Sequence, residues 1–221
     1  MRVNSKPLNK RDSYKFKRKC LQLFPVPVVE DIMFAYDLSK YGHHKQLRDD
    51  GRRYFDHPRA VSLILLQELR VYDCDLIISS LLHDIPEDSF LLDIKRIHKV
   101  YGEKVSHTVW LLTKEFKHKG KNVGKYYKRL IESNNWKACL IKCVDRLHNM
   151  RSLETSTLEK RLKQAEETLK YFPIILEKLL AIAPRVYREA IEILSNKLVN
   201  IASHYKNTSN IPYKLKINEI V

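Results

Sequence analysis

The sequence predicts an all-α fold of about nine or ten helices. Glycine is rare, with 5 in 221 residues, and leucine, lysine and isoleucine are the most frequent residues. Apolar residues recur at helical spacing along most of the chain, and alternation typical of strands is hard to find. A hydrophobic content of 44% is sufficient for a substantial core.

The first half of the chain carries five predicted helices, in segments 28–44, 59–70, 76–84, 93–102 and 103–114. In the first, Val29, Ile32 and Tyr36 share one face. Gly51 supplies a turn in the loop that follows, and Pro58 suits the first position of the next helix, where a missing N–H costs nothing. Asp73 or Asp75 can cap the third helix.

Gly102 ends one helix of this half before the next begins. The second half predicts helices in segments 126–133, 136–150, 157–180 and 185–205, after a basic loop at 114–125. The apolar stripe of the 157–180 segment is interrupted at Pro173.

We divide the chain into three parts. Residues 1–24 form a loose basic arm whose apolar end can dock, residues 25–183 form the main domain, and residues 184–221 form a C-terminal helix and a polar tail.

The net charge of +15 is unevenly distributed. Residues 1–19 hold eight Lys or Arg against one acid, and residues 117–129 hold six and no acid. These stretches are either solvated, mobile segments or a field that attracts polyanions such as a nucleotide or nucleic acid.

Four cysteines without a CxxC pair indicate reduced core residues rather than zinc ligands. No stretch reaches the roughly 18 apolar residues that a membrane span needs, and no signal peptide is visible. We therefore expect a cytoplasmic protein that does not contact membranes.

Residue types that bind metals concentrate in three places: His57, the pair His83-Asp84, and Asp145. Each lies at the end of a predicted helix or next to one, and in a helical bundle such ends can converge on one cavity. Two imidazoles with two carboxylates suit a divalent ion such as Mn²⁺, Fe²⁺, Co²⁺ or Zn²⁺. Any one of these residues alone is a weak signal, because a single histidine near a core is usually structural.

Three stretches, LRDDGRRYFDHP, LLHDIPEDS and IKCVDRLHNMR, occur in this order. Together they resemble the HD-type alarmone hydrolases, which comprise the hydrolase domain of RelA/SpoT proteins and the free-standing small alarmone hydrolases. The resemblance covers roughly residues 30–180 and implies an HD-domain helical bundle. It further implies a metal-dependent 3′-pyrophosphohydrolase that converts ppGpp or pppGpp into pyrophosphate and GDP or GTP.

By this resemblance one Mn²⁺ ion, or another divalent metal, is held by four residues, and further residues act on the water or the substrate. The implied ligands are His57, His83, Asp84 and Asp145. Glu87 and Asp88 are implied to orient and activate the attacking water. The substrate is implied to contact Arg48 and Asn149, and Arg151 of the same motif can help to hold the site together. We also assign Arg151, Tyr54 and Lys142 to the substrate, although Tyr54 can instead pack behind the site and Lys142 can instead point out of the cavity. Glu87 and Asp88 can alternatively cap the next helix, Arg48 can be a surface residue, and His148 is expected to be structural.

The chain departs from the family pattern after Arg48, where Asp49-Asp50 replaces a basic residue and a serine. Arg52 and Arg53 follow and can restore positive charge. No synthetase segment follows in the sequence, so we expect degradation of the alarmone without synthesis.

Two alternatives stay open at this point. One is another HD phosphohydrolase: a nucleotidase, a cyclic-nucleotide phosphodiesterase or an NADPH phosphatase. The other is a basic nucleic-acid-binding or regulatory protein on the same scaffold, which is less favoured because aromatic residues do not interleave the basic runs. A small-molecule nucleotide is therefore the expected partner, and the sequence does not indicate the oligomeric state.

Overall fold

The structure, a computed structural model, describes residues 10–88, 92–114 and 123–209. Ten α-helices occur in these ranges, with a five-residue π-helix and one turn of 3₁₀-helix. The α-helices are Lys10–Leu21 (α1), Val26–Gly42 (α2), Asp56–Leu63 (α3), Cys74–Leu82 (α4), Ile85–Asp88 (α5), Ile94–Leu112 (α6), Val123–Glu132 (α7), Trp136–Arg151 (α8), Leu158–Ile182 (α9) and Arg188–Ser209 (α10). No strand occurs in the same ranges beyond an isolated bridge between Leu47 and Arg53. The prediction of an all-α fold is confirmed.

The helix limits follow from local chemistry. Asp73 caps α4 by accepting a hydrogen bond from Leu76 N at 2.8 Å, as predicted. The φ of Gly102 is +76° and breaks α6 into two helical halves, as predicted for this glycine. Gly51, with φ +78°, makes the turn between α2 and α3.

Three local predictions are wrong. Residues 10–21 are not a loose arm but the helix α1, because Phe16 and Cys20, four residues apart, are both buried in the core. Helix α3 begins at Asp56, so Pro58 lies at its third position, where a missing N–H still costs nothing. Helix α9 runs through Pro173 without interruption, and the preceding residue, Phe172, is buried in the core.

The site residues are positioned by packing of the short helix α3 against α4 and α8. Helix α8 is the central element, since Ala138 to Leu147 are all buried. Helix α10 packs against α8 and α9 and completes the core on that side.

Two further expectations concern cysteines and membranes. Cys20, Cys139 and Cys143 are free and buried, and Cys74 is free and half-buried, so the prediction of reduced cysteines is confirmed. Among the helices in the described ranges, none is long and apolar enough to cross a bilayer.

Candidate active site

Three predicted metal ligands converge where α3, α4 and α8 meet. His57, His83 and Asp145 each place one donor atom within 4.8 Å of the others. His57 Nε2 lies 3.0 Å from Asp145 Oδ1. All three residues are buried, with 2%, 3% and 6% of their surfaces exposed. Packing of three separate helices therefore brings together groups that are far apart in sequence.

Asp84 adjoins this cluster. Its Oδ1 lies 3.3 Å from His83 Nε2, and its Oδ2 lies 3.6 Å from His57 Nε2. The hydroxyl of Tyr54 donates a hydrogen bond to Asp84 Oδ2 at 3.1 Å and so restrains the carboxylate. All four residues predicted as ligands thus lie at one place.

The hydrogen bonds of His83 indicate that this place suits a cation. His83 Nδ1 lies 2.8 Å from the carbonyl oxygen of Ser80, which can only accept, so Nδ1 carries the hydrogen. The neutral ring then has a lone pair on Nε2. That atom is buried and makes no hydrogen bond to any residue the structure describes. An Nε2 atom that faces carboxylate oxygens without a hydrogen bond to them needs a positive charge between them, and a divalent metal ion bound by the neutral ring supplies one.

Both oxygens of Asp145 are held by neighbours on α8. Lys142 Nζ donates to Oδ2 at 2.7 Å, and Asn149 Nδ2 donates to Oδ1 at 2.6 Å. Burial opposes the ionisation of Asp145, but the neighbouring charge of Lys142 outweighs it and holds the pKa of Asp145 well below the usual range. Asp145 is therefore an oriented, negatively charged ligand.

Three members of the cluster, His57, Asp84 and Asp145, line a cavity of about 1380 Å³. Arg48 and Tyr54 line it from the loop after α2, and Lys160 and Lys163 line it from the first turns of α9. A cavity of this size and charge can hold a polyanionic small molecule beside the cluster.

Glu87 lines the same cavity. Its Oε1 accepts a hydrogen bond from the backbone N of Lys114 at 2.5 Å, and burial raises the pKa of Glu87 above its ordinary value. The charge of Lys142, with burial, lowers the pKa of Lys114. The α5 backbone includes Asp88, but its side chain lies outside the described residues.

Of the residues predicted to contact substrate, four line the cavity: Arg48, Tyr54, Lys142 and Asn149. Arg48 Nη2 donates to Asn149 Oδ1 at 2.9 Å, which ties the loop after α2 to α8. Arg151 is the exception and does not line the cavity. Both its Nη atoms donate to Glu68, at 2.7 and 2.9 Å, because residue 151 lies about 200° around the helix from residue 149.

The acidic departure after Arg48 is compensated locally. Asp50 pairs with Arg52 at 2.5 Å, and Asp49 pairs with Lys160 of α9 at 2.5 Å. Arg53 is occupied by Asp56 at 2.9 Å. The two arginines therefore neutralise nearby carboxylates, and the cavity takes its positive charge from other residues.

Sequence reasoning did not find the contact between His57 and His148, whose Nδ1 atoms lie 2.7 Å apart. Burial lowers the pKa of His148 to about 3. Nor did it find Lys160 and Lys163 in the cavity wall. A repeated basic residue on the first turns of a long helix is the only signal that the sequence offers for them.

The cluster lies in a part of the chain that is similar to known proteins. The family model described as HD domain matches residues 35–178, a range that includes the whole cluster. The guanosine-3′,5′-bis(diphosphate) 3′-pyrophosphohydrolase of Aquifex aeolicus (strain VF5) is 32% identical over 179 residues, covering 80% of this chain and 24% of the relative. The bifunctional (p)ppGpp synthase/hydrolase SpoT of Escherichia coli (strain K12) is 29% identical over 161 residues, covering 70% and 22%.

The chain spans about a quarter of the length of these curated relatives. Among solved structures, one described as "A metazoan ortholog of SpoT hydrolyzes ppGpp and plays a role in starvation responses" matches with a TM-score of 0.60. The match covers 79% of this chain and 97% of that chain at 22% identity. At that identity the likeness shows a shared fold.

Proposed function

The chain belongs to the HD domain family, and we propose that it is a divalent-metal-dependent phosphohydrolase acting on (p)ppGpp. The reaction adds water across the bond between the ribose 3′ oxygen and phosphorus, and it releases pyrophosphate with GDP or GTP. The observation that carries the proposal is the buried Nε2 of His83, which makes no hydrogen bond to any described residue and faces carboxylates at one end of a cavity lined by cationic side chains. The names of the curated relatives supply the substrate.

His57, His83, Asp84 and Asp145 are the residues that would hold the ion, and we propose Mn²⁺ as its identity. When bound, a divalent ion lowers the pKa of its water and withdraws charge from a phosphoryl oxygen. The donor set of two imidazoles and two carboxylates also accommodates Fe²⁺, Co²⁺ or Zn²⁺.

Glu87 is the proposed proton acceptor for the attacking water. Its carboxylate lines the cavity and is oriented by the backbone N of Lys114. A raised pKa makes this carboxylate a stronger base than an ordinary glutamate, as general base catalysis near neutral pH requires. Asp88 is proposed to assist, as the family resemblance implies.

Cationic residues at both ends of the cavity are proposed to bind the substrate. Lys114 and Lys142 lie beside the cluster, where negative charge develops on the transferred phosphoryl group. Arg48, oriented by Asn149, is proposed to contact the base or the adjacent phosphate. At the far end, Lys163 offers charge to the other phosphates.

A second candidate is an HD phosphohydrolase for a less anionic nucleotide. Asp49 and Asp50 both line the cavity, and they add negative charge where the family pattern has a basic residue. Their pairing with Lys160 and Arg52 favours the first candidate, because the added charge is neutralised.

The test is an assay with Mn²⁺ and a panel of ppGpp, pppGpp, NADPH, a cyclic nucleotide and a nucleoside monophosphate. We expect pyrophosphate and GDP from ppGpp, loss of activity in EDTA, and recovery with added Mn²⁺. His83→Ala should abolish turnover, and Lys128→Met, a change at an exposed residue, should leave it intact. Orthophosphate from NADPH without any product from ppGpp would favour the second candidate.

The same preparation tests two remaining expectations. Incubation with ATP and GDP or GTP should yield no alarmone, in line with the prediction that the chain does not synthesise it. Affinity for nucleic acid should be weak and should fall steeply with salt, because it depends on unspecific charge.

A further inference from the structure

His57 and His148 form a direct contact between α3 and α8. Their Nδ1 atoms are 2.7 Å apart, and the ring centroids are 4.8 Å apart with a tilt of 46°. His57 is buried, at 2% exposed. Two nitrogens at this distance must share one hydrogen, because two lone pairs or two N–H groups facing each other repel.

The position of that hydrogen decides what the other nitrogen of His57 can do. His57 Nε2 lies 3.0 Å from Asp145 Oδ1 and 3.6 Å from Asp84 Oδ2, inside the acidic cluster. If His57 donates from Nδ1 and His148 accepts, Nε2 of the neutral ring keeps its lone pair and can bind a cation. If His148 donates instead, the hydrogen of His57 lies on Nε2 and blocks that role.

His83 supplies an internal comparison. Its Nδ1 donates to the carbonyl oxygen of Ser80, so its Nε2 lone pair faces the same carboxylates. The two imidazoles thus have the same placement, with Nδ1 at hydrogen-bond distance from a protein group and Nε2 turned to the cluster. The carbonyl oxygen of Ser80 can only accept a hydrogen bond, whereas a ring nitrogen of His148 accepts one only when it carries no hydrogen.

We propose that His148 is a positioning residue for the metal centre: its Nδ1 accepts the hydrogen bond of His57 and thereby selects the tautomer whose Nε2 binds the ion. The inference rests on the metal site of the proposed function and is independent of which nucleotide is cleaved. His148 itself contacts neither the ion nor the substrate in this role.

Two variants separate the acceptor from the bulk of the ring. His148→Asn places an amide oxygen where Nδ1 stands and keeps the acceptor, whereas His148→Phe keeps a ring against His57 and removes the acceptor. Calorimetric titration with Mn²⁺ should give about a tenfold to hundredfold weaker affinity for the phenylalanine variant. The asparagine variant should stay within a few-fold of the parent, although it fills the site less well.

A second measurement does not depend on variants that fold. In the ¹⁵N spectrum of the Zn²⁺-loaded protein, with this diamagnetic ion replacing Mn²⁺, His57 should be protonated at Nδ1 and His148 at Nε2. Circular dichroism and melting curves check the fold of each variant.

The outcomes distinguish this inference from the proposed function. Equal Mn²⁺ affinity of the parent and His148→Phe, or protonation of His148 at Nδ1 in the loaded protein, overturns the inference and leaves the metal site standing. A parent protein that binds no divalent ion overturns both. Failure to cleave ppGpp, together with the expected order of Mn²⁺ affinities, removes the proposed substrate and supports the inference.

Discussion

Replacing Lys142 by methionine should destabilise the metal-free protein strongly. Lys142 Nζ lies 2.7 Å from Asp145 Oδ2, and the two side chains are only 9% and 8% exposed. Methionine keeps most of the apolar stem and removes the charge. Asp145 would then be a buried carboxylate that has lost its lysine.

The magnitude follows from this geometry. At an effective dielectric constant of about 20, two unit charges 2.7 Å apart attract by roughly 6 kcal/mol, and the cost of desolvating them offsets part of that. Removing one partner of a buried pair costs about 3–5 kcal/mol. For a chain of this length, 1 kcal/mol corresponds to about 2–4 °C in Tm, so we expect a fall of roughly 6–20 °C.

The assay is urea unfolding followed by circular dichroism, in EDTA and in saturating Mn²⁺. The loss of unfolding free energy caused by Lys142→Met should be largest in EDTA and smaller in Mn²⁺, because a bound cation beside Asp145 replaces part of the missing charge. Lys128→Met is the matched control, since that lysine is 73% exposed and pairs with Glu132 at 3.7 Å. It should change the free energy of unfolding by less than about 0.5 kcal/mol. A loss below about 1 kcal/mol for Lys142→Met in EDTA would refute the reasoning.

Three further predictions concern other sites. Glu68, paired with Arg151 and Lys197, has a pKa lowered from 4.5 to about 2, so its contribution to stability is complete above about pH 4.5 and is lost as the pH falls towards 2. Glu68→Gln should remove that part of the pH dependence of the unfolding free energy, measured by urea titration. An equal change of unfolding free energy with pH in the parent and the variant would contradict this. Gly102→Ala should lower the free energy of unfolding by about 1–3 kcal/mol, because φ +76° with ψ −173° is accessible to glycine alone. A Tm equal to that of the parent would argue against this. Arg48→Ala should raise KM for ppGpp by about tenfold to a hundredfold, because a charge-assisted hydrogen bond to the substrate is lost. Arg48→Lys should restore little of the affinity, since lysine cannot replace the planar guanidinium. An unchanged KM would place this residue outside substrate binding.

The helices and the predicted metal ligands could be inferred from the sequence because their signals are local. Asp145 is a charged residue within an apolar helical run, and His83-Asp84 ends another, so burial of these groups needs compensation. Asp73 is recognisable as a cap from the residues that follow it. The resemblance to HD-type hydrolases then connected these separate places to one site.

What the sequence did not reveal depends on how helices face one another. The partner of His57 is His148, 91 residues away, and only the rotation of α3 against α8 brings their rings together. Arg151 was assigned to the substrate because it belongs to the same motif as Asn149, but direction around a helix is not given by adjacency in a motif. In α1, a high density of basic residues obscured the helical spacing of Phe16 and Cys20, so the segment was not predicted as a helix.

Helix α10 has a practical consequence for anyone who trims this protein. The HD domain match ends at residue 178, but α10 contributes Ile191, Leu194 and Leu198 to the same core and packs on the helix that carries Asp145. Lys197 of α10 also donates a hydrogen bond at 2.6 Å to Glu68, the last residue of the π-helix that follows α3. A fragment cut at the limits of the match would expose that apolar surface to water, so it should aggregate rather than behave as a minimal enzyme.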